Sequence, residues 1–242
     1  MLNNQRFLKA IQGSFKSFIS SGTSRSTAKL KPLHGAIAAD LANRLGTGYK
    51  VVAQGYGDDK EQLIAGRYID KKVDITVQRA ADGQPLAGIA VKFVMQNYSQ
   101  NSNNYFENML GETANIRCAH VPYFQIFIIL DHLPYYKNNG ELSKWEDFTE
   151  HNMQKYCALA NDNPDMFQHT PNKTLIYVVH VAPESDSLRT KAEYLEFYTK
   201  NNSKLKLSQS ANTYPELVEG GTIVLNDYET FVEKVYHYIK SL

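Results

Sequence analysis

The chain has 242 residues of ordinary composition, 43% hydrophobic and 21% charged, which is long enough to bury a sizeable core and excludes a disordered or low-complexity protein. Cys118 and Cys157 are the only cysteines, too few for a disulfide framework or a thiolate zinc site, and they suit a reducing, cytoplasmic setting. The formal charge of +1 hides an asymmetry: residues 1–50 carry eight bases against Asp40 alone, and the remaining residues carry 18 bases against 24 acids.

A basic block on a near-neutral chain fits an anionic partner such as nucleic acid, and equally a solvated surface. The first residues lack a hydrophobic signal core, and no apolar run approaches the ~20 residues of a membrane span, so no membrane partner is expected.

In chain order, Phe7, Leu8, Ile11, Phe15 and Phe18/Ile19 predict an amphipathic helix over 3–20. SSGTSRSTAKLK (20–31) reads as a loop whose hydroxyls and bases, including Arg25, Lys29 and Lys31, are the groups that phosphate contacts use. A second helix is expected from about Pro32 to Leu45, closed by Gly46. Strands are expected at Tyr49–Gln54 and near Gly66–Ile69, separated by the polar turn GYGDDKEQ.

Val73–Gln78 and Ile89–Phe93 alternate as strands, and Asp82-Gly83 between them is a strong hairpin signal. With Val73, Ile75 and Val77 inward, Asp74 falls on the opposite face, as Ala90 and Lys92 do on the second strand. NYSQNSNN (97–104) has turn chemistry, and a helix is expected from about Asn103 to Cys118.

FQIFIIL (124–130) and TLIYVVHVA (174–182) are apolar throughout, as strands covered on both faces are. LSKWEDFTEHNMQKYCALAN (142–161) reads as helix, and residues 184–220 as a mixed connection with a helix around 188–200. A last strand is expected at 221–226, and Asn226 with Glu229 resembles a capping box opening a helix to about Ile239. With no linker and no repeat, this order predicts a single α/β domain over 1–242, a mixed central β-sheet flanked by helices with a basic helical region at 1–50.

A carboxylate and an amine on the polar side of one hairpin make either a structural ion pair or a site holding a divalent metal beside a lysine. Val73-Asp74, the hairpin, and Ala90-Val91-Lys92-Phe93 resemble the PD-(D/E)XK nuclease signature, best known from type II restriction endonucleases. The element order over roughly 33–182 is similar to that fold as well.

The resemblance implies a restriction endonuclease-like domain and a Mg²⁺-dependent endodeoxyribonuclease, with Mn²⁺ as substitute. It implies cleavage of double-stranded DNA by a homodimer, since a palindromic site mirrors a two-fold axis. Asp74 would bind metal, Lys92 would act on the attacking water, and the Val91 carbonyl would complete the metal shell.

Val73 stands for the family's Pro, which only shapes the backbone. Ala90 stands for the family's acid and cannot bind metal. Three explanations are open: the acid comes from the following helix, the shell is completed by phosphate and water, or the protein is an inactive DNA-binding relative. Among acids on that helix Glu107 ranks ahead of Glu112, which points about a third of a turn away by helical spacing.

Asn97, Gln100, Asn101, Asn103 and Asn104 supply amides that fill loops and caps and that also match adenine's edge. The seven histidines show no metal-ligand spacing. Neither a P-loop nor GxGxxG nor GxSxG occurs, so no nucleotide cofactor and no serine-hydrolase chemistry is expected.

Overall fold

A computed structural model of the chain describes residues 1–22, 27–185, 187–209 and 221–242. Helix α1 (Asn4–Ser21) is capped by Asn3, whose side chain accepts from the Arg6 N–H at 2.9 Å. Its buried stripe is Phe7, Ile11, Phe15, Phe18 and Ile19. A short 3-10 turn (Thr27–Leu30) leads into α2 (Lys31–Leu45), with Pro32 in its first turn, where a missing N–H costs nothing.

Strand β1 (Tyr49–Ala53) follows, then β2 (Gln62–Ile64) and β3 (Lys71–Val73), which pair with each other as a separate ribbon. The strand expected near 66–69 is instead the loop of that ribbon. The Asn115 side chain accepts from the N–H groups of Tyr68 (2.9 Å) and Ile69 (3.2 Å) and donates to the Ile69 carbonyl (2.8 Å), so these backbone groups are satisfied without a sheet.

Strands β4 (Ile75–Arg79) and β5 (Pro85–Val94) form the expected hairpin, its turn closed by Gly83 at φ 75°. Helix α3 (Tyr98–Arg117) begins about five residues before the expected Asn103. The amide-rich stretch read as a loop is therefore mostly helix. Asn97, at φ 52°, fixes the start by donating to the Tyr136 carbonyl (2.8 Å) and accepting from the Tyr136 N–H (3.1 Å). The Glu146 carboxylate then accepts from the Ser99 N–H at 3.2 Å, an anion at a helix N-terminus.

Strand β6 (Tyr123–Leu130) is buried along its whole length. The helix expected over 142–161 is in fact two elements. Strand β7 (His132–Tyr136) pairs with β8 (Leu142–Asp147), and α4 (Glu150–Ala160) starts only at the Thr149/Asn152 capping box. Stacking of Trp145 on His132, with centroids 4.7 Å apart, and the reach of Glu146 to Ser99 are long-range contacts that hold 142–147 extended.

The rest is β9 (Lys173–Ala182), α5 (Lys191–Lys200), β10 (Lys204–Leu207), β11 (Ile223–Leu225) and α6 (Tyr228–Lys240). The cap of α6 is Asp227, which accepts from the Thr230 N–H. The expected cap, Asn226, spends its side chain on the Val178 N–H at 2.7 Å.

The main sheet has the order β1-β4-β5-β6-β9-β10, with β11 sharing the outer edge of β9. Strands β5, β6, β9 and β11 are parallel to one another, and β1, β4 and β10 pair antiparallel, a mixed sheet as expected. Register assigns the faces. Phe124 meets Tyr238 of α6, and Tyr177 meets Phe7 of α1, so the even positions of β6 face those helices. Gln125 and Phe127 face the other side, toward Thr113 of α3 and Tyr156 of α4. Through the β5–β6 register, Ala90 and Lys92 share that second face.

Phe7 is fully buried between Tyr177 (5.0 Å between centroids) and the stacked ring of Tyr228 (4.2 Å), which ties α1, α6 and the sheet together. Phe7→Ala is expected to cost about 3–5 kcal/mol in urea unfolding with an unchanged m-value. A loss below about 1 kcal/mol would show that this three-ring contact is not where the core draws its stability.

Candidate active site

The second face of the sheet carries a cleft of about 590 Å³ between β5, β6, the first half of β3–β4 and α3. Its floor follows from where strands end. β4 stops at Ile75, opposite Ile89, whereas β5 runs on to Val94. Beyond Ile89 no strand among the described residues pairs with the β4 side of β5. Asp74, at the bend between β3 and β4, fills the gap: its Oδ2 accepts from the Val91 N–H at 2.7 Å. The N–H and C=O of one strand residue point to the same edge, so the Val91 carbonyl is turned toward Asp74 as well.

Burial pushes the Asp74 carboxyl up to about 6, opposed by the Val91 hydrogen bond and assisted by the charge of Glu112, while Lys71 and Lys92 pull it down. Lys92 projects from β5 on the same face, its ammonium 4.5 Å from the centroid of the Tyr105 ring. Burial lowers its pKa, against the pull of Glu112 and Asp74.

Helix α3 forms the wall. Met109, Thr113 and Ile116 are its buried phase, and this turns Asn101, Tyr105, Asn108 and Glu112 to the cleft. Glu112 is ion-paired with Lys71 of β3. At the back of the cleft the Tyr123 hydroxyl is buried and has no hydrogen-bond partner among the described residues. Burial, then the charges of Glu112 and Asp74, hold it far above an ordinary tyrosine.

The structure thus brings Asp74, Val91 and Lys92 together, with Asn97, Gln100 and Asn101 along one rim. It does not bring Glu107, which is exposed and lies on the far side of α3, nearer Lys155. Of the two glutamates it is Glu112, not Glu107, that lines the cleft, because the sheet is met by the Met109 phase of the helix rather than by the Asn103–Glu107–Gly111 face. Asn103 and Asn104 are exposed outside the cleft, Asn103 beside the Lys155 ammonium at 3.5 Å.

Among the N-terminal bases, Lys29 is buried and lines the cleft, its amine lowered to about 8 by burial and then by Lys92 and Lys191. Lys31 instead pairs with Asp59 on the surface at 2.7 Å, and Arg25 lies outside the described residues. Lys71, Lys72, Tyr105, Asn108, Tyr123 and Gln125 also line the cleft, outside the residues that the sequence singles out. Of these, Asn108 and Tyr105 were accessible from the helical phase of Met109 and Thr113.

Asp74, Glu112 and the Val91 carbonyl are hard oxygen donors on one cleft. Such a set suits Mg²⁺, which keeps several waters and takes one or two carboxylates. Among the described residues no group of three or more His, Cys, Asp or Glu side chains is placed to hold a metal, so a site closed entirely by protein side chains is not built here. Comparison with protein-family models, curated proteins and solved structures returned no match.

The raised Asp74 pKa has a consequence without metal. Between pH 3.8, the ordinary value, and about 6 the folded chain holds a proton that the unfolded chain has lost, so stability falls as pH rises through that window. Above it the ionised carboxylate is a standing cost. Asp74→Asn, which can still accept from Val91, is expected to stabilise the metal-free protein at pH 8 by about 1–3 kcal/mol, with the gain gone by pH 3.5. An equal gain at both pH values in thermal or urea unfolding would show that desolvation of the charge is not the cause.

Proposed function

We propose that the chain is a Mg²⁺-dependent endodeoxyribonuclease of the PD-(D/E)XK type, cutting double-stranded DNA as a type II restriction enzyme. The observation that carries this reading is the meeting of Asp74, Lys92 and Glu112 in one cleft, on the face of β5 left open where β4 stops. Glu112, supplied by α3, takes the part that an acid at position 90 plays in the signature. Asp74, Glu112 and the Val91 carbonyl would hold the metal. When bound, Mg²⁺ supplies Lewis-acid stabilisation of the phosphate and lowers the pKa of a bound water.

The rest falls to side chains of this chain. Lys92, on the neighbouring β5 position, is set to stabilise the attacking hydroxide and the negative charge gathering at phosphorus. Its partly buried ammonium, steadied by the Tyr105 ring, is more effective there than in bulk water. Lys29 and Lys72 add positive charge to the same cleft, which suits a phosphodiester backbone. Asn101 and Gln100 on the rim are placed to meet base edges or sugar–phosphate groups. A homodimer is the assembly that a palindromic target favours.

Plasmid cleavage with Mg²⁺ or Mn²⁺ tests this. Glu112→Gln and Asp74→Ala are expected to lower nicking by at least about a hundredfold, while Glu107→Gln stays near wild type. Lys92→Met should lose cleavage but keep DNA binding in Ca²⁺. If Glu107→Gln is the silent variant and Glu112→Gln the active one, the ligand assignment fails. If the wild-type protein binds DNA yet never nicks it with either metal, the chain is a DNA-binding relative without nuclease activity.

The cleft amines give a second measurement. Lys29→Gln should weaken DNA binding several-fold and flatten the dependence of log K on log salt by about one unit, since one phosphate contact is lost. An unchanged salt slope would place Lys29 outside the DNA contact.

A further inference from the structure

The loop of the β2–β3 ribbon presents two large apolar side chains to solvent, Tyr68 at 77% and Ile69 at 66% exposed. Such exposure usually goes with a loose loop, but this loop is fastened. Asn115 of α3, itself buried, makes three hydrogen bonds to its backbone, and the Arg67 N–H donates to the Asn115 carbonyl at 2.8 Å. Gly66 is required there, since a Cβ would sit 2.1 Å from the Asn115 amide nitrogen. Beneath it Ile64 and Val73 of the ribbon pack on Ile116 and Tyr123.

The loop is also tied to the cleft. Lys71 and Lys72, two and three residues past Ile69, line it, and Glu112 and Asn115 lie one turn apart on α3. The exposed tip is therefore within about 7 Å of chain from a cleft residue. Its run Arg67, Tyr68, Ile69, Asp70, Lys71, Lys72 holds four bases and acids of which three are basic.

We propose that Tyr68 and Ile69 form a preorganised wedge that seats against a groove of duplex DNA beside the scissile phosphate, with Arg67 and Lys72 on the flanking phosphates. The inference rests on the DNA-cleaving reading of the cleft. An aromatic and an aliphatic side chain held rigid next to bases match the apolar wedges that press between base steps, and rigidity spares the entropy of ordering them on binding.

The test is gel-shift binding of linear plasmid fragments in Ca²⁺ by the full chain, comparing wild type, the pair Tyr68→Ser/Ile69→Ser, and Leu63→Ser on the same ribbon. The expected result is at least tenfold weaker binding by the pair, with Leu63→Ser within twofold of wild type and melting temperature and sedimentation coefficient unchanged. If the pair melts lower, the single Tyr68→Ser decides, with a loss of threefold or more expected. Wild-type affinity in the pair overturns the wedge and leaves the nuclease reading standing. A fall in sedimentation coefficient overturns it too, and assigns the tip to contact between copies of this chain. Absence of DNA binding by the wild type removes both proposals together.

Discussion

The hydrogen bond from the Val91 N–H to Asp74 is the contact on which the cleft depends. A strand that outlasts its neighbour leaves backbone groups that must find partners. Here β5 outlasts β4, and a carboxylate takes the place of the missing strand. The bend that places this carboxylate also sends the chain into the β2–β3 ribbon, which opens the space above Ala90 and Lys92. The ribbon rests Ile64 and Val73 on Ile116 and Tyr123, and Tyr123 fits because position 88 is Gly, where a Cβ would lie 2.8 Å from the ring. A small buried cluster outside the main core thus fixes the positions of Asp74, Lys71 and Glu112.

Much of this was legible in the sequence, for identifiable reasons. Alternation over 73–78 and 89–93, with Asp-Gly between, gives a hairpin that short-range chemistry alone dictates. The apolar runs at 124–130 and 174–182 state their two-sided burial directly. The helices at 4–21 and 31–45 announce themselves by stripe and by closing glycine. What was not legible depends on distant partners. Residues 142–147 carry helix-compatible residues, and distant partners, among them His132 under Trp145 and the head of α3 at Glu146, make them a strand. The amides of 98–104 read as loop because the residue that fixes the helix start, Asn97, is anchored to Tyr136, 39 positions away.

The site divides along the same line. Asp74 and Lys92 follow from strand alternation, a local rule. The acid on α3 follows from which helical phase meets the sheet, and that needs Met109, Thr113 and Ile116 to be recognised as the buried side. Counting residues on from Lys92 favours Glu107; counting from the buried phase favours Glu112. The N-terminal excess of positive charge is similar. It suggests a contact surface of many bases, yet of the three bases singled out there, Lys29 reaches the cleft and Lys31 is engaged by Asp59.

Ala90 now has a physical reading. In register it lies across from Gln125, on the floor of the cleft and on the same face as Lys92. A carboxylate there would join Asp74, whose own charge is already disfavoured by burial and by Glu112, and like charges this close cannot all stay ionised without more than one compensating cation. On the nuclease reading proposed above, an acid at position 90 and an acid at position 112 would be alternatives rather than additions. The methyl group at 90 leaves room above the floor for Glu112 of α3, which Lys71 neutralises. Its place on α3 also couples Glu112 to Asn115, one turn further on, and so to the loop that Asn115 fastens. Any shift of α3 along its axis displaces the carboxylate and the loop together, so the proposed chemistry would depend on the position of this helix.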